Sequence, residues 1–364
     1  MSAPIPSVFA LAHPIRIGVA QPNLVAVTER VCGSRTWKAL SRALSGTTEL
    51  TGSVLARLTA NPAHDALSQF VNATNAMPGG TEMGNGYAAM LYLREYLDPQ
   101  PYFVVDDALV ELLEQTDLTP EVPLETLRLP FPRMYLELGR SRTLQTKLPN
   151  VETGLHALEG AYCETGTHPE LGDGLYLMFT GSPLGKADPL DDATLGVFFP
   201  RRDGKTSLTE AVHASFGRSA ELAQELALLP TPAYFVSYAV ECLLLLAKAL
   251  LYIGMPEARQ TWFPERATAL RALGAKKSTA KLAKARRRVA GLRDYTLIQA
   301  AVPHLAGEQP SETGRGVRAH WRRGHYRMQP HGPASSLRKL LFVQPMLVAA
   351  GPETGQLHPR YLVR

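Results

Sequence analysis

The run Arg315–Val348 constrains this chain more than any other. Between Arg315 and His331 it holds five arginines, three histidines and two aromatics. A turn signal at His331-Gly332-Pro333 follows, and then the strand formers of Leu-Arg-Lys-Leu-Leu-Phe-Val. The pattern predicts a β-hairpin with an unusually basic first arm, built into the fold. Arginine stays exposed unless paired, so this density of guanidinium groups points to contact with something anionic.

The charge distribution points the same way. From Thr261 to Arg364 there are 19 Lys+Arg against 5 Asp+Glu, a surplus of 14. The whole chain carries +5, so the preceding residues carry −9. An acidic body with a basic final third fits a nucleic acid or another anionic partner; the plainer alternative is that the basic third docks on the acidic body. A second basic run contains Lys276, Lys277, Lys281, Lys284, Arg286, Arg287 and Arg288 among alanines. It reads as a helix, or as an arm that becomes helical on contact, supplying sequence-independent phosphate attraction.

At 364 residues the chain can bury a large core. We read it as a mostly helical region, 1–100, followed by an α+β domain, 101–364, or as one continuous domain. Cys32, Cys163 and Cys242 are odd in number and far apart, which fits neither a disulfide framework nor a zinc site and suits a reducing cytoplasm. No secretory signal precedes the body. The most apolar helix candidate, Tyr234–Met255, carries Glu241 and Lys248, charges costly in a bilayer. It is expected as a buried helix with these two on a solvated or paired stripe, and no membrane association is expected.

In chain order, Val54–Leu67 suits a helix broken at Asn61-Pro62. Asn72–Gly86 reads as a glycine- and asparagine-rich loop without a phosphate-cradling motif. Tyr87–Tyr96 suits a helix, stopped near Asp98-Pro99. Pro101–Leu118 reads as an extended piece entering a helix, with Asp106 or Asp107 as its cap. A short helix around Leu124–Leu127 and a strand at Met134–Leu138 come next. Leu175–Thr180 and Thr194–Phe199 are strands flanking the loop Gly181–Asp192, and Leu208–Leu229 returns to helical spacing. These pieces predict an α+β fold: a mixed or antiparallel central sheet, surrounding helices and the basic C-terminal hairpin.

Two blocks carry a family resemblance. The first is Thr116-Asp117-Leu118, Val122-Pro123, Leu127, Leu129-Pro130 and Tyr135-Leu136-Glu137. The second is Val317-Arg318, His320, Arg322-Arg323, His325, Gly332-Pro333, Gln344-Pro345 and Val348. Together they resemble the AcrVA-type anti-CRISPR family, in the branch that lowers production of the type V-A CRISPR effector nuclease, over roughly Pro101–Val348. The resemblance implies a protein of a phage or plasmid that acts during translation, on a nascent polypeptide or its ribosome-associated message.

The motif's own chemistry leaves three readings. In the first it binds a partner, possible RNA included: Arg318, Arg322, Arg323 and Arg327 grip phosphates or carboxylates, beside His320 and His325, while Trp321 or Tyr326 offers a stacking surface. In the second, His320 and His325 serve as base and acid of a ribonuclease. One regular strand would point the two apart, and a bulge at Gly324 would restore them to one side. In the third, the motif is a sheet strand paired with acidic residues of the body. A non-enzymatic nucleic-acid-binding regulator of a phage or plasmid is the runner-up to counter-defence beside the ribonuclease. No metal and no cofactor is expected, since neither HExxH nor paired CxxC spacing is present, and no GxSxG elbow marks a nucleophile. The balance favours a protein that is not an enzyme.

Overall fold

The computed structural model describes residues 13–20, 23–75, 84–138, 144–150, 154–168, 171–183, 193–200, 206–215, 233–256, 258–274, 289, 291–300, 320–322, 324–344 and 346–348. Five helices come first: α1 His13–Ala20, α2 Leu24–Leu44, α3 Thr51–Thr59, α4 Asp65–Asn75 and α5 Gly84–Leu97. The expected break between α3 and α4 is present, as a single 3-10 turn at Pro62–His64 whose Asn61 side chain accepts from the Ala63 amide. The predicted loop at Asn72–Gly86 is corrected at both ends, and its middle, 76–83, lies outside the described residues. Asn72–Asn75 close α4 and Gly84–Gly86 open α5.

The α+β part follows: β1 Tyr102–Val105, α6 Asp107–Glu114, β2 Asp117–Leu118, β3 Arg133–Glu137, β4 Lys147–Asn150, β5 Gly154–His168, β6 Gly172–Pro183 and β7 Ala193–Pro200. Then come α7 (208–215), α8 Ala233–Ile253, β8 Arg259–Phe263, α9 Glu265–Gly274 and β9 Tyr295–Gln299, and finally β10 His320–Arg322, β11 His325–His331, β12 Leu337–Val343 and β13 Met346–Val348. Asp106 does stand at the N-cap position of α6, but its side chain makes no capping hydrogen bond. Its backbone amide donates to the Ile298 carbonyl instead, which ties the helix start to β9.

The central sheet is mixed. Its order is β7-β6-β5-β3-β1-β9-β8, with β4 also on β5. β1 runs parallel to both β3 and β9, while the remaining pairs are antiparallel. The strands predicted around 175–180 and 194–199 pair with each other as expected.

One face of the sheet carries the principal core. Phe103 and Val105 of β1, Met134 and Leu136 of β3, and Ala161 and Cys163 of β5 pack there with α6 and α8. α8 is long and apolar enough to cross a membrane, but most of its surface is buried in this core. Its place between sheet and hairpin accounts for its composition. All three cysteines are buried and unlinked, and burial pushes their thiols up.

The opposite face is buried too, and sets charged groups beside a smaller apolar and aromatic cluster around Val104, Tyr135, Tyr162 and Met178. Arg133, Tyr135 and Glu137 alternate with the apolar side chains of β3 and are covered as fully as they are. The cover is the helical layer α1–α5, which has a core of its own around Leu40, Leu44, Val54, Leu67, Met90 and Leu93. Ion pairs fasten it to the sheet. Arg16 of α1 meets the Glu159 carboxylate through both of its terminal nitrogens. Arg94 of α5 donates to Glu164 at 3.2 Å, and the Thr51 amide and hydroxyl donate to the same carboxylate at 3.0 and 2.6 Å. Glu159 reaches this face because β5 bulges between Leu158 and Gly160, which turns one extra residue toward α1. Burial raises the Glu95 carboxyl to about 7 despite Arg293 nearby, and burial, then Arg16, lowers His13 to about 3.

Gly160 marks the tightest approach in the sheet. A Cβ there would lie 2.2 Å from the Leu136 carbonyl oxygen and 2.9 Å from the Tyr135 hydroxyl. Gly160→Ala is therefore expected to force β3 and β5 apart and to cost about 1–3 kcal/mol, read from the midpoint of chemical denaturation. An unchanged midpoint would mean that the bulge yields freely.

Candidate functional site

The two sequence blocks meet at one junction. β2 lies parallel to the start of β11, with Asp117 opposite His325 and Leu118 opposite Tyr326. The Asp117 amide donates to the Gly324 carbonyl at 2.9 Å, and the Thr119 hydroxyl donates to the Tyr326 carbonyl at 2.8 Å, across 207 positions of chain. A two-residue strand has little stability alone. This one is held because β11 is already paired along its other side with β12, from His325↔Val343 to His331↔Leu337.

Tyr326 anchors the hairpin to the body. Its side chain is 0% exposed, its hydroxyl donates to the Lys248 carbonyl at 2.8 Å, and its ring lies 4.9 Å from that of Phe342. Phe342 in turn meets Tyr252 edge-on at 5.4 Å. Lys248 completes the link: its ammonium donates to the Thr116 carbonyl at 2.9 Å while only 7% of the residue is exposed. Burial lowers its pKa to about 8, against the opposing pull of Asp117 and Glu114. Of the solvated or paired stripe expected through Glu241 and Lys248, Lys248 takes the paired form, buried against the Thr116 carbonyl, because the hairpin covers that side of α8. A lysine inside so apolar a helix was the signal, since lysine is almost never buried without a partner.

The hairpin changes character along its length. Tyr326 and Phe342 sit at its root, against the core. At its far end Pro330, His331, Leu337, Arg338 and Lys339 are all exposed. The connecting turn uses a left-handed Gly332, at φ 75°, and a 3-10 segment, Pro333–Ser335. The hairpin and its turn were legible in sequence.

The sequence-derived site residues fare unequally. His325 is half-buried and Arg327 is exposed. Tyr326 offers no stacking surface, since its ring is spent on the core; that expectation is corrected. His320, Trp321 and Arg322 lie in β10, which pairs with β13 in a separate antiparallel ladder, His320 opposite Val348. The single strand expected to carry both histidines is therefore two strands, β10 ending at Arg322 and β11 beginning at His325. Arg318, Arg323, Lys276, Lys277, Lys281, Lys284, Arg286, Arg287 and Arg288 lie outside the described residues.

An α+β protein with a mixed sheet, in which a basic hairpin is keyed to the body by a buried tyrosine and a buried lysine, is the class that this geometry defines. The model of the AcrVA2-like family, described as the anti-CRISPR type V subtype A2 family, matches residues 103–350, about two thirds of the chain. The chain belongs to that anti-CRISPR family. Comparison with curated proteins and with solved structures found no match.

Proposed function

We propose that this protein is a counter-defence factor of a phage or plasmid that recognises a nascent polypeptide, or the message being translated into it, and reduces expression of a CRISPR effector. It works in the cytoplasm, where translation is under way. The observation that supports the reading is the family match, which spans both sequence blocks and the junction where they meet. Binding is favoured over RNA cleavage: the single bulged strand that would bring His320 and His325 to one side is instead two strands in different ladders.

The test is co-expression with several type V effectors, followed by effector protein and transcript levels. Loss of both is the expected result, with the transcript spared when translation of the effector message is blocked. Unchanged levels for every effector would remove the counter-defence reading. A pull-down from a translating bacterial extract then separates the two targets. Ribosomes carrying particular nascent chains identify a peptide, whereas recovery that survives without translation and disappears on nuclease treatment identifies the message.

A further inference from the structure

We infer that the projecting half of the β11–β12 hairpin is a docking surface for the phosphate backbone of RNA. The choice of RNA over other polyanions rests on the translation-coupled function proposed above; the surface itself rests on geometry and charge.

Charge comes first. No aspartate or glutamate occurs between Glu312 and Glu353, a span holding Arg315, Arg318, Arg322, Arg323, Arg327, Arg338 and Lys339. Mixed-sign surfaces are the rule for soluble domains, so a hairpin of one sign is built for a polyanion and not for solubility. Among the described residues, no salt bridge engages Arg327, Arg338 or Lys339. The docking of the basic hairpin onto acidic body residues therefore does not occupy these three.

Geometry comes second. In an antiparallel pair, opposite residues share a face. The register Arg327↔Leu341 and Gln329↔Lys339 puts Arg327 and Lys339 on the same face as diagonal neighbours. Such neighbours stand about 7–8 Å apart at their backbones, within reach of adjacent phosphates for two long, flexible side chains. Arg338 falls on the other face, opposite Pro330. It is nevertheless exposed, because the hairpin has by then left the core, with Leu337 at 53% exposure. Arg338 also donates to the Ser335 and Leu337 carbonyls, bracing the turn. The root, by contrast, is fixed by Tyr326, so cations are presented on a rigid arm at low cost in ordering.

The exposed end presents cations on both of its faces, Arg327 and Lys339 on one and Arg338 on the other, and lysine and arginine so placed read phosphates without reading sequence. Binding is accordingly steeply salt-dependent.

The experiment is fluorescence anisotropy of a labelled single-stranded RNA titrated with the purified full chain, in the absence of ribosomes and effector, at several salt concentrations. Arg327→Ala/Lys339→Ala is expected to weaken binding by about tenfold or more. It should also flatten the log–log salt slope by about 1.4, the contribution of two single-strand phosphate contacts. Both residues are surface-exposed, and an unchanged thermal midpoint will show that the fold is intact. Arg35→Ala/Lys38→Ala, on the exposed side of α2, removes the same charge elsewhere and is expected to leave binding unchanged. Equal binding by wild type and the hairpin variant overturns the proposal, as does an equal loss in the α2 control, which would mark a bulk-charge effect. Competition by poly-glutamate at the same phosphate-equivalent concentration would also overturn it, in favour of an acidic polypeptide. Because no effector is present, failure here is separate from failure of the expression test.

Discussion

Replacing Glu164 with alanine is expected to remove about 3–5 kcal/mol of stability, the cost of leaving one member of a buried ion pair without its partner. Glu164 lies in β5 on the helix-covered face, where one carboxylate receives the Arg94 guanidinium and both the amide and hydroxyl of Thr51. The side chains of Arg94 and Glu164 are 2% and 5% exposed. Without the carboxylate, the Arg94 charge stays in a medium that solvates it poorly, and the first turn of α3 loses the acceptor for its leading amide. Denaturant unfolding should show a large fall in midpoint. Amide exchange should quicken first in α3 and α5, before the core strands. Arg94→Met/Glu164→Leu should recover most of the loss, since replacing both charges with apolar groups of similar volume removes the desolvation cost as well. A shift below about 1 kcal/mol for Glu164→Ala would mean that water reaches this cluster and that the helical layer is held by other contacts.

The contribution of Lys248 to stability, read as the difference between wild type and Lys248→Met, should rise as the pH climbs from about 8 towards 10. Its folded-state pKa, about 8, lies below the ordinary 10.5, so across that window the unfolded chain binds more protons than the folded one. The slope of unfolding free energy with pH is therefore positive. The penalty is fully present below the folded value and amounts to about 3 kcal/mol once relieved, at 1.36 kcal/mol per unit. The buried thiols of Cys32, Cys163 and Cys242, raised from 9.0, act oppositely within the same window, and the buried tyrosines Tyr135, Tyr162 and Tyr326, raised as well, do so at higher pH, since the unfolded chain loses those protons first. The tyrosine effect begins near pH 10 and bounds the useful range, while the cysteine effect is common to both proteins and cancels in the difference. Lys248→Met should remove the rising component, leaving the falling one of the buried thiols, and also leaves the Thr116 carbonyl without its donor. Comparing the two proteins at pH 8 and pH 10 isolates the lysine. Parallel curves would show that the ammonium is solvated through openings at the junction.

Much of the frame was legible in the residues. Gly332-Pro333 between a basic run and Leu-Leu-Phe-Val fixed the hairpin, Asn61-Pro62 divided α3 from α4, and the apolar run from Tyr234 marked a core helix. β5, the longest strand, escaped notice. Gly154, Gly160 and Gly166 dilute its strand formers. Its polar side chains, among them Glu159 and Glu164, face inward, so no apolar–polar alternation appears. A charge buried by a partner from a remote helix looks in sequence like a solvated one. The same reason hid Lys248, whose covering hairpin arrives about 80 residues later. β2 escaped for another cause: a strand of two residues exists only because β11 supplies the ladder. The exposed cations of the hairpin's second arm, Arg338 and Lys339, were overshadowed by the denser cluster before the turn.

The sheet's connectivity also sets an order of events at the ribosome. β1 is complete by Val105, yet its partner on one side is β9, Tyr295–Gln299, so most of the chain must be made before that edge closes. Until then a fully apolar strand, Tyr-Phe-Val-Val, waits with its hydrogen-bonding groups open, a hazard for self-association during synthesis. Pairings this distant in sequence also slow folding, because the loop must close before the contact repays it. In a protein with this topology the open edge of β1 persists until β9 has been made, and its producing cell would gain from a chaperone that shields the early half.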